Sequence, residues 1–244
     1  MQRGLIVLAA AVVALLAPGV RGTDHLSFDN STQVNITRDG CGATKVCVEE
    51  PAACDPAGNS SCLFASVTAS APAAPNGTDL AVELSGRSAG YIAMGLTANA
   101  SQGTALIFIC ARNNQNNGSF FFRTMLRNNT DSTLSAVETI VTGIRSSVDG
   151  DLIQCEFTVP GVNATSTRTT DATTFAILIG TGTTSGTEVG ALMVNRTSSP
   201  VDVSNPSGAS TTPTPATEMT TSGAGRAFAP HALLLLLMSV LKAV

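Results

Sequence analysis

Hydrophobic and polar residues alternate through the middle of this 244-residue chain. In 80–84 and in 153–159 every second position is apolar, which is the period of a β-strand with one buried face. The segments 105–110 and 175–179 are apolar on both faces, as is typical of central strands. The same criteria predict five further strands, at 63–68, 91–96, 120–126, 137–141 and 189–194.

Glycine-containing dipeptides mark turns between these predicted strands. Asp149-Gly150 lies between two strand-like runs, and Asn117-Gly118 lies just before 120–126. Such dipeptides tolerate the positive φ angles of tight hairpin turns. Between the two chain ends no segment keeps a helical apolar period. Eight or nine short strands predict an all-β fold, an antiparallel β-sandwich of immunoglobulin-like type.

Both ends of the chain are continuously hydrophobic instead of alternating. Residues 1–22 combine a basic start at Arg3, a short apolar run and small residues before Thr23, which is the pattern of a secretory signal peptide. Residues 222–244 combine small residues, a short spacer and a leucine run, which is the pattern of a glycolipid (GPI) attachment signal with Ser222 as the attachment residue. A single-pass helix is the alternative, but no basic cluster follows the leucine run.

These ends and the composition between them divide the chain into five expected parts. A polar leader over 23–40 follows the signal peptide, the β-sandwich occupies 41–197, and a stalk over 198–221 precedes the attachment signal. The stalk holds four prolines among many Ser and Thr residues, a composition that cannot build a core and suits a spacer. We expect the protein to pass through the secretory pathway to the extracellular face of the plasma membrane, where a lipid anchor holds it in the outer leaflet.

The charge balance argues against nucleic acid as a partner. The whole chain has 13 Lys and Arg residues and 17 Asp and Glu residues. Removal of the two signals takes away four basic residues, which leaves nine against 17 acidic residues and a net charge of −8. No basic stripe of the kind that binds nucleic acid remains.

Six cysteines fit an oxidising compartment. The spacing of the first four matches no common zinc pattern, so we expect disulfides, of which six cysteines allow 15 connectivities. Cys110 is the leading partner for Cys155 because both lie in central apolar strands, while the clustered cysteines pair among themselves. The six are Cys41, Cys47, Cys54, Cys62, Cys110 and Cys155.

Nine N-x-[ST] sequons fit the same compartment. One such tripeptide is a weak signal, but this density behind a signal peptide predicts a surface that carries N-linked glycans. The sequons stand at Asn30, Asn35, Asn59, Asn76, Asn99, Asn117, Asn128, Asn163 and Asn195.

One segment matches a catalytic motif in its letters. Residues 86–90 read G-x-S-x-G, the nucleophile elbow of serine hydrolases, which requires a strand–turn–helix context and a histidine base. The two histidines, His25 and His231, lie near the ends of the chain. We therefore interpret the motif as a hairpin turn, and we predict neither catalytic residues nor metal ligands.

Four segments of the predicted sandwich resemble a known family. They are the cysteine-rich stretch 41–62, the strand Gly90-Tyr91-Ile92-Ala93-Met94-Gly95-Leu96, the strand Ile107-Phe108-Ile109-Cys110 and the strand Ile153-Gln154-Cys155-Glu156-Phe157. Together they look like the DOMON domain of the ferric-chelate reductase 1 group, over about 39–203. The resemblance implies a β-sandwich that binds haem or sugar. Larger members add a reeler domain and a cytochrome b561-like bundle, and we recognise neither here.

The resemblance also indicates where a haem would be held. Haem-carrying relatives look as though they hold iron between a methionine before the Ile-x-Ile-Cys strand and a histidine on a late strand. These positions fall near Gln102 and Thr181, and neither is a ligand of that type. Met94 and Met193 are interpreted as core residues, because methionine fills apolar gaps readily.

These observations predict a non-enzymatic module without a cofactor, which binds an unknown extracellular ligand or protein. One alternative is a haem-binding accessory domain for ferric-chelate reduction or electron transfer. Another is a structural coat glycoprotein. The first alternative requires a bound haem, and the second requires only the glycans and the acidic surface.

The lipid anchor gives the first testable prediction. Phosphatidylinositol-specific phospholipase C should release the protein from expressing cells into the medium, because only the lipid would hold it there. Retention of the protein on treated cells, with the leucine run still present in the mature chain, would instead show a single-pass helix.

Overall fold

The computed structural model describes residues 34–58, 61–70, 77–115, 118–162 and 173–208. Within these ranges the chain forms twelve β-strands and one 3₁₀ turn at Pro206–Gly208, and no α-helix. No helix in this part of the chain is long and apolar enough to cross a membrane. The predicted all-β, antiparallel, disulfide-bonded sandwich is therefore confirmed, with an architecture consistent with the DOMON type.

The strands form two sheets, and every strand pair in them is antiparallel. The first sheet has the spatial order β1 (Val46–Glu50), β2 (Leu63–Ala69), β3 (Thr78–Arg87), β9 (Leu152–Val162), β8 (Thr142–Asp149). The second sheet has the order β11 (Glu188–Thr197), β10 (Thr174–Ser185), β4 (Tyr91–Thr97), β5 (Thr104–Arg112), β6 (Phe120–Asn128), β7 (Leu134–Ala136), with β12 (Val201–Asp202) also beside β10.

The main core lies between the sheets and is built from the inward-facing residues of both. The ring of Phe157 on β9 packs against Phe108 and Phe122 of the second sheet, with centroids 5.2 and 4.9 Å apart. Offset and edge-to-face ring pairs of this kind stabilise a core beyond their area burial. Met94 is fully buried in this cluster, which confirms its predicted core role.

Met193 is not a core residue, and its predicted role is wrong. Its side chain is 68% exposed. It lies on β11, which forms the outer strand of the second sheet. A side chain on an outer strand can point past the end of the facing sheet, which the alternation of residues along the strand does not reveal.

The strand predicted at 137–141 is also wrong. These residues connect β7 of the second sheet to β8 of the first. Exposed and half-buried residues still alternate along the connection, and Ile140 is 71% exposed. Val141 packs against the main core, but the segment belongs to no strand ladder, so its period only imitates that of a strand.

The turn predictions have mixed outcomes. Gly150 has a φ of +60° in the two-residue loop between β8 and β9, as expected of a tight hairpin. Gly118 also has a positive φ, but the paired ends of β5 and β6, Arg112 and Phe120, are too far apart in the sequence for a two-residue turn. The G-x-S-x-G segment is not a hairpin turn, because it carries the chain from β3 in the first sheet to β4 in the second.

Packed residues extend beyond both predicted limits of the sandwich. Val34 and Ile36 are 6% and 1% exposed, although 23–40 was assigned to a polar leader. Val203 is fully buried in the main core, although 198–221 was assigned to the stalk. Single apolar residues among polar neighbours give no periodic signal, so the sequence does not reveal that these three residues are buried.

Three disulfides connect the six cysteines, and they agree with the predicted pairing. Cys110 on β5 bonds to Cys155 on β9, so this bridge joins the two sheets through the core. The clustered cysteines form the pairs Cys41–Cys47 and Cys54–Cys62. All described cysteines are bonded.

The intersheet bridge should contribute more stability than the short N-terminal one. Its cysteines are 45 residues apart, against six for Cys41–Cys47. Loop-closure entropy predicts a loss of about 4 kcal/mol in the free energy of unfolding for Cys110→Ala/Cys155→Ala, and about 2 kcal/mol for Cys41→Ala/Cys47→Ala. Urea unfolding of both variants measures the difference, and equal losses would contradict the prediction.

Candidate functional site

A partly buried ion pair lies on the outer face of the first sheet. Lys45 is 7% exposed, and its Nζ donates to Glu83 Oε2 at 2.7 Å and to the carbonyl of Thr37 at 2.9 Å. Ser66 Oγ donates to the same carboxylate oxygen at 2.6 Å. These bonds satisfy a charge that would be costly to bury alone. They hold the segment 34–45 against β2 and β3.

A second ion pair holds the disulfide loops beside β1. Arg38 Nη1 lies 2.9 Å from Glu49 Oε1 and donates to the carbonyl of Cys54 at 2.9 Å. The backbone N–H of Ala53 also donates to Glu49 Oε1, at 3.1 Å. The segment 34–45 and these loops therefore form one cross-linked cap over the β1–β2 side of the first sheet.

The rest of that outer face, on β3, β9 and β8, is open and polar. A guanidinium nitrogen of Arg145 on β8 pairs with Glu156 on β9, and Gln154 approaches Ser85 on β3. Such a face, polar outside and apolar inside, is common in antiparallel sheets. We name it the polar face and define it by six exposed or half-exposed residues, Ala81, Arg145, Ser147, Gln154, Glu156 and Thr158.

The outer face of the second sheet is apolar and buried, unlike that of the first. Tyr91, Ile107 and Ile109 are fully buried there in a second core cluster. The Tyr91 ring lies across Gly182, where a Cβ atom would collide with it. Its hydroxyl donates to the carbonyl of Gly190 at 3.0 Å. Burial raises the pKa of Tyr91 to about 12.

Asn129 fixes the loop between β4 and β5. Its side chain is buried, and Nδ2 lies 3.0 Å from Thr97 Oγ1, 2.7 Å from the carbonyl of Asn99 and 3.1 Å from the carbonyl of Gln102. An amide nitrogen with two protons thus serves three acceptors. The Gln102 backbone is therefore held close to Thr97, at the end of β4.

The two positions implied for haem ligands are not brought together. Thr181 pairs with Ile92 on β4, whereas Asn129 holds Gln102 beside Thr97. Thr97 lies five residue steps along β4 from Ile92, which is roughly 16 Å at the rise of a β-strand. The Tyr91 ring also occupies the space above Gly182. These residues do not fit a haem held between the two positions.

Ser88, in the G-x-S-x-G segment, has a structural environment. Its Oγ accepts a hydrogen bond from the Gly90 N–H at 3.1 Å and approaches the carbonyl of Gly182 at 3.4 Å. Its backbone N–H donates to the carbonyl of Asp151 at 2.8 Å. The described residues contain no histidine that could act as its base, and they hold no group of three or more potential metal ligands.

Four sequon asparagines lie within the described ranges. Asn35, Asn99 and Asn195 are exposed, and Asn128 is half-buried. None of the four is on β3, β8 or β9, so none lies on the polar face. Outside the described residues are Asn30, Asn59, Asn76, Asn117, Asn163 and the predicted anchor residue Ser222.

The residues that organise these surfaces give no signal in the sequence. Lys45 and Asn129 stand in polar surroundings in the sequence, where exposure is the usual outcome. Glu83 alternates with apolar residues and was correctly placed on the outer face of its strand, but nothing in the sequence pointed to its partner. Their roles depend on contacts between distant segments.

Tyr91 provides an optical measure of the buried outer face of the second sheet. It is the one tyrosine of the chain, which has no tryptophan, so tyrosinate absorbance should report it alone. Burial raises its pKa from 10.0 to about 12, so the folded state keeps the proton after the unfolded state has lost it. The free energy of unfolding should therefore fall as pH rises through this window.

An alkaline titration of the folded protein tests this expectation. Circular dichroism at each pH shows whether the fold persists, and a titration in denaturant supplies the ordinary pKa. A transition near pH 10 in protein that is still folded would contradict the buried position of Tyr91.

Comparison with known proteins gives two relatives for part of the chain. A protein of Danio rerio named "Putative ferric-chelate reductase 1" is 28% identical over 172 residues, which cover 69% of this chain and 28% of the relative. A protein of Xenopus laevis with the same name is 26% identical over 118 residues, which cover 48% of this chain and 18% of the relative. The chain thus matches less than a third of the length of either relative.

No family model matches the chain, and no solved structure matches it. The two relatives support a relationship to the ferric-chelate reductase 1 proteins, at low identity and over one part of those longer chains.

Proposed function

We propose that this protein is a lipid-anchored glycoprotein of the cell surface whose DOMON-like sandwich binds an extracellular ligand or partner protein without catalysing a reaction. The observation that carries the proposal is the polar face of the first sheet. It is open, and none of the four described sequons lies on its strands. Glycans on those sequons would leave this face accessible.

The polar face offers mixed hydrogen-bonding chemistry on a rigid support. Gln154 and Thr158 supply neutral donors and acceptors, and the Arg145–Glu156 pair supplies both charges. All of these groups lie on β8 and β9, which are bonded into the sheet. A fixed array of polar groups suits a polar protein surface or a sugar, because preorganised side chains lose little entropy on binding.

The polar groups away from this face support a binding role over a catalytic one. Lys45 and Glu83 are saturated by each other and by Ser66 and Thr37. The Tyr91 hydroxyl is buried and bonded to a carbonyl. A general base or a nucleophile needs a polar atom within reach of a substrate, and these groups are committed to the fold.

The names of the two relatives favour a second candidate, a haem-binding accessory domain for ferric-chelate reduction. The haem site that the resemblance implies uses two axial ligands, a methionine and a histidine, on opposite sides of one iron. The separation of Gln102 from Thr181 supports the first candidate instead. A structural coat glycoprotein remains the third candidate, and it would use its glycans without a specific binding face.

A hemin titration separates the first two candidates. We expect the purified glycoprotein to show no Soret absorbance as isolated and none above that of free hemin after incubation, because neither implied ligand position holds a methionine or a histidine. A Soret band that persists after gel filtration would favour the accessory-domain candidate.

His25 supplies the control for that titration. It lies outside the described residues, and it precedes the sandwich in the sequence. If hemin binds, His25→Ala should abolish the band. A band that survives His25→Ala would show that residues other than His25 ligate the haem iron, which would contradict the proposal.

A further inference from the structure

The outer side of β8 (Thr142–Asp149) has no neighbouring strand in the described part of the chain. β8 is the outer strand of the first sheet and pairs with β9. The other side of such a strand presents backbone N–H and C=O groups that can pair with another chain.

The other sheet edges are short or guarded. β7 has three residues. β1 and β11 are the outer strands on the opposite side of the sandwich. An ion pair links the two strands, with Arg196 Nη1 of β11 3.2 Å from Glu50 Oε2 of β1. β11 also bears the exposed sequon residue Asn195 at a bulge. A glycan there would obstruct pairing along β11.

β8 is regular over its second half. Its register with β9 shifts between Thr142 and Arg145, where Gly143 has a φ of +62°. Such a bulge twists the start of an edge strand away from a straight partner. From Arg145 to Asp149 the register is continuous, and this stretch contains no proline and no sequon.

We propose that two copies of this protein pair through β8, antiparallel, with Ser147 on the two-fold axis. In this register Arg145 of one copy lies opposite Asp149 of the other copy, and the same contact recurs on the other side of the axis. Both residues are exposed, and they point to the same face because they are four residues apart. Opposite charges in facing positions stabilise a strand pair.

Charge complementarity selects this register over its neighbours. Centring the pair on Ser146 would place Arg145 opposite Ser147 and would lose both charge contacts. Centring it on Arg145 would oppose two like charges. The Arg145–Glu156 pair does not prevent the contact, because a guanidinium has five N–H donors.

The dimer goes beyond the proposed binding role and does not depend on it. Pairing through β8 would join the first sheet of one copy to the first sheet of the other copy, which gives one sheet of ten strands. A two-fold axis perpendicular to that sheet would place both polar faces on the same side. Such an arrangement would present two binding faces at once, which raises avidity for a partner that is itself multivalent.

Cross-linking of the full-length protein on cells tests the register. Ser147→Cys should give a reducible covalent dimer on a non-reducing gel, since facing residues of an antiparallel pair lie within the Cα distances that disulfides allow. Met193→Cys is the matched control, because that residue is exposed on the other long edge, and it should stay monomeric. Equal cross-linking by both variants, or none by either, would overturn the proposal.

Charge exchange then tests the contact itself. Asp149→Arg, added to Ser147→Cys, should lower the cross-linked fraction about tenfold, because both contacts become repulsive. Glu188→Arg makes the same charge change beside a tight turn of β11 and should leave the fraction unchanged. A fraction that is equal in these two variants would overturn the proposal.

Co-expression completes the test. The double variant Arg145→Asp/Ser147→Cys should cross-link poorly with itself. When it is expressed under a different tag together with Asp149→Arg/Ser147→Cys, the two variants should cross-link to each other, because both charge contacts are restored. Surface arrival of each variant shows that it is folded. Failure of two folded variants to cross-link with each other would contradict the Arg145–Asp149 contact.

Discussion

The packing of two sheets around Phe157 and the Cys110–Cys155 bridge is the constraint on which the rest of the structure depends. The bridge joins β5 and β9, one strand of each sheet, and both of its cysteines are fully buried in the main core. The Phe157 ring lies between Phe108 and Phe122 in the same region. Because inward and outward residues alternate along a strand, this contact also decides which residues face out. The polar face of the first sheet follows from it.

The two outer faces differ in consequence. On the first sheet the outward positions of β9 are Gln154, Glu156 and Thr158. On the second sheet the outward positions of β5 include Ile107 and Ile109, which are fully buried. An apolar, buried face suits packing within the fold, and an open polar face suits recognition. The structure therefore directs a search for a binding site toward the first sheet.

The sequence predicted most strands because their periods were undisturbed. It also predicted the Cys110–Cys155 pair, because both cysteines lie on the inner face of central strands. It failed at 137–141, where the connection between the two sheets has the period of a strand, and at Met193, whose exposure follows from its place on an outer strand. It missed the Lys45–Glu83 pair because 38 residues separate the partners, and no local pattern connects them.

If the polar face is the binding surface, a glycan added to it should block binding. Glu156→Asn creates the sequon Asn-Phe-Thr in the middle of that face. Thr183→Asn creates a control sequon at an exposed position on β10, in the second sheet. The measurement is the binding of multimerised, glycosylated protein to cells that bind the wild type. We expect the glycan at position 156 to abolish binding and the glycan at position 183 to leave binding unchanged. Unchanged binding by a Glu156→Asn protein that demonstrably carries the added glycan would contradict this expectation.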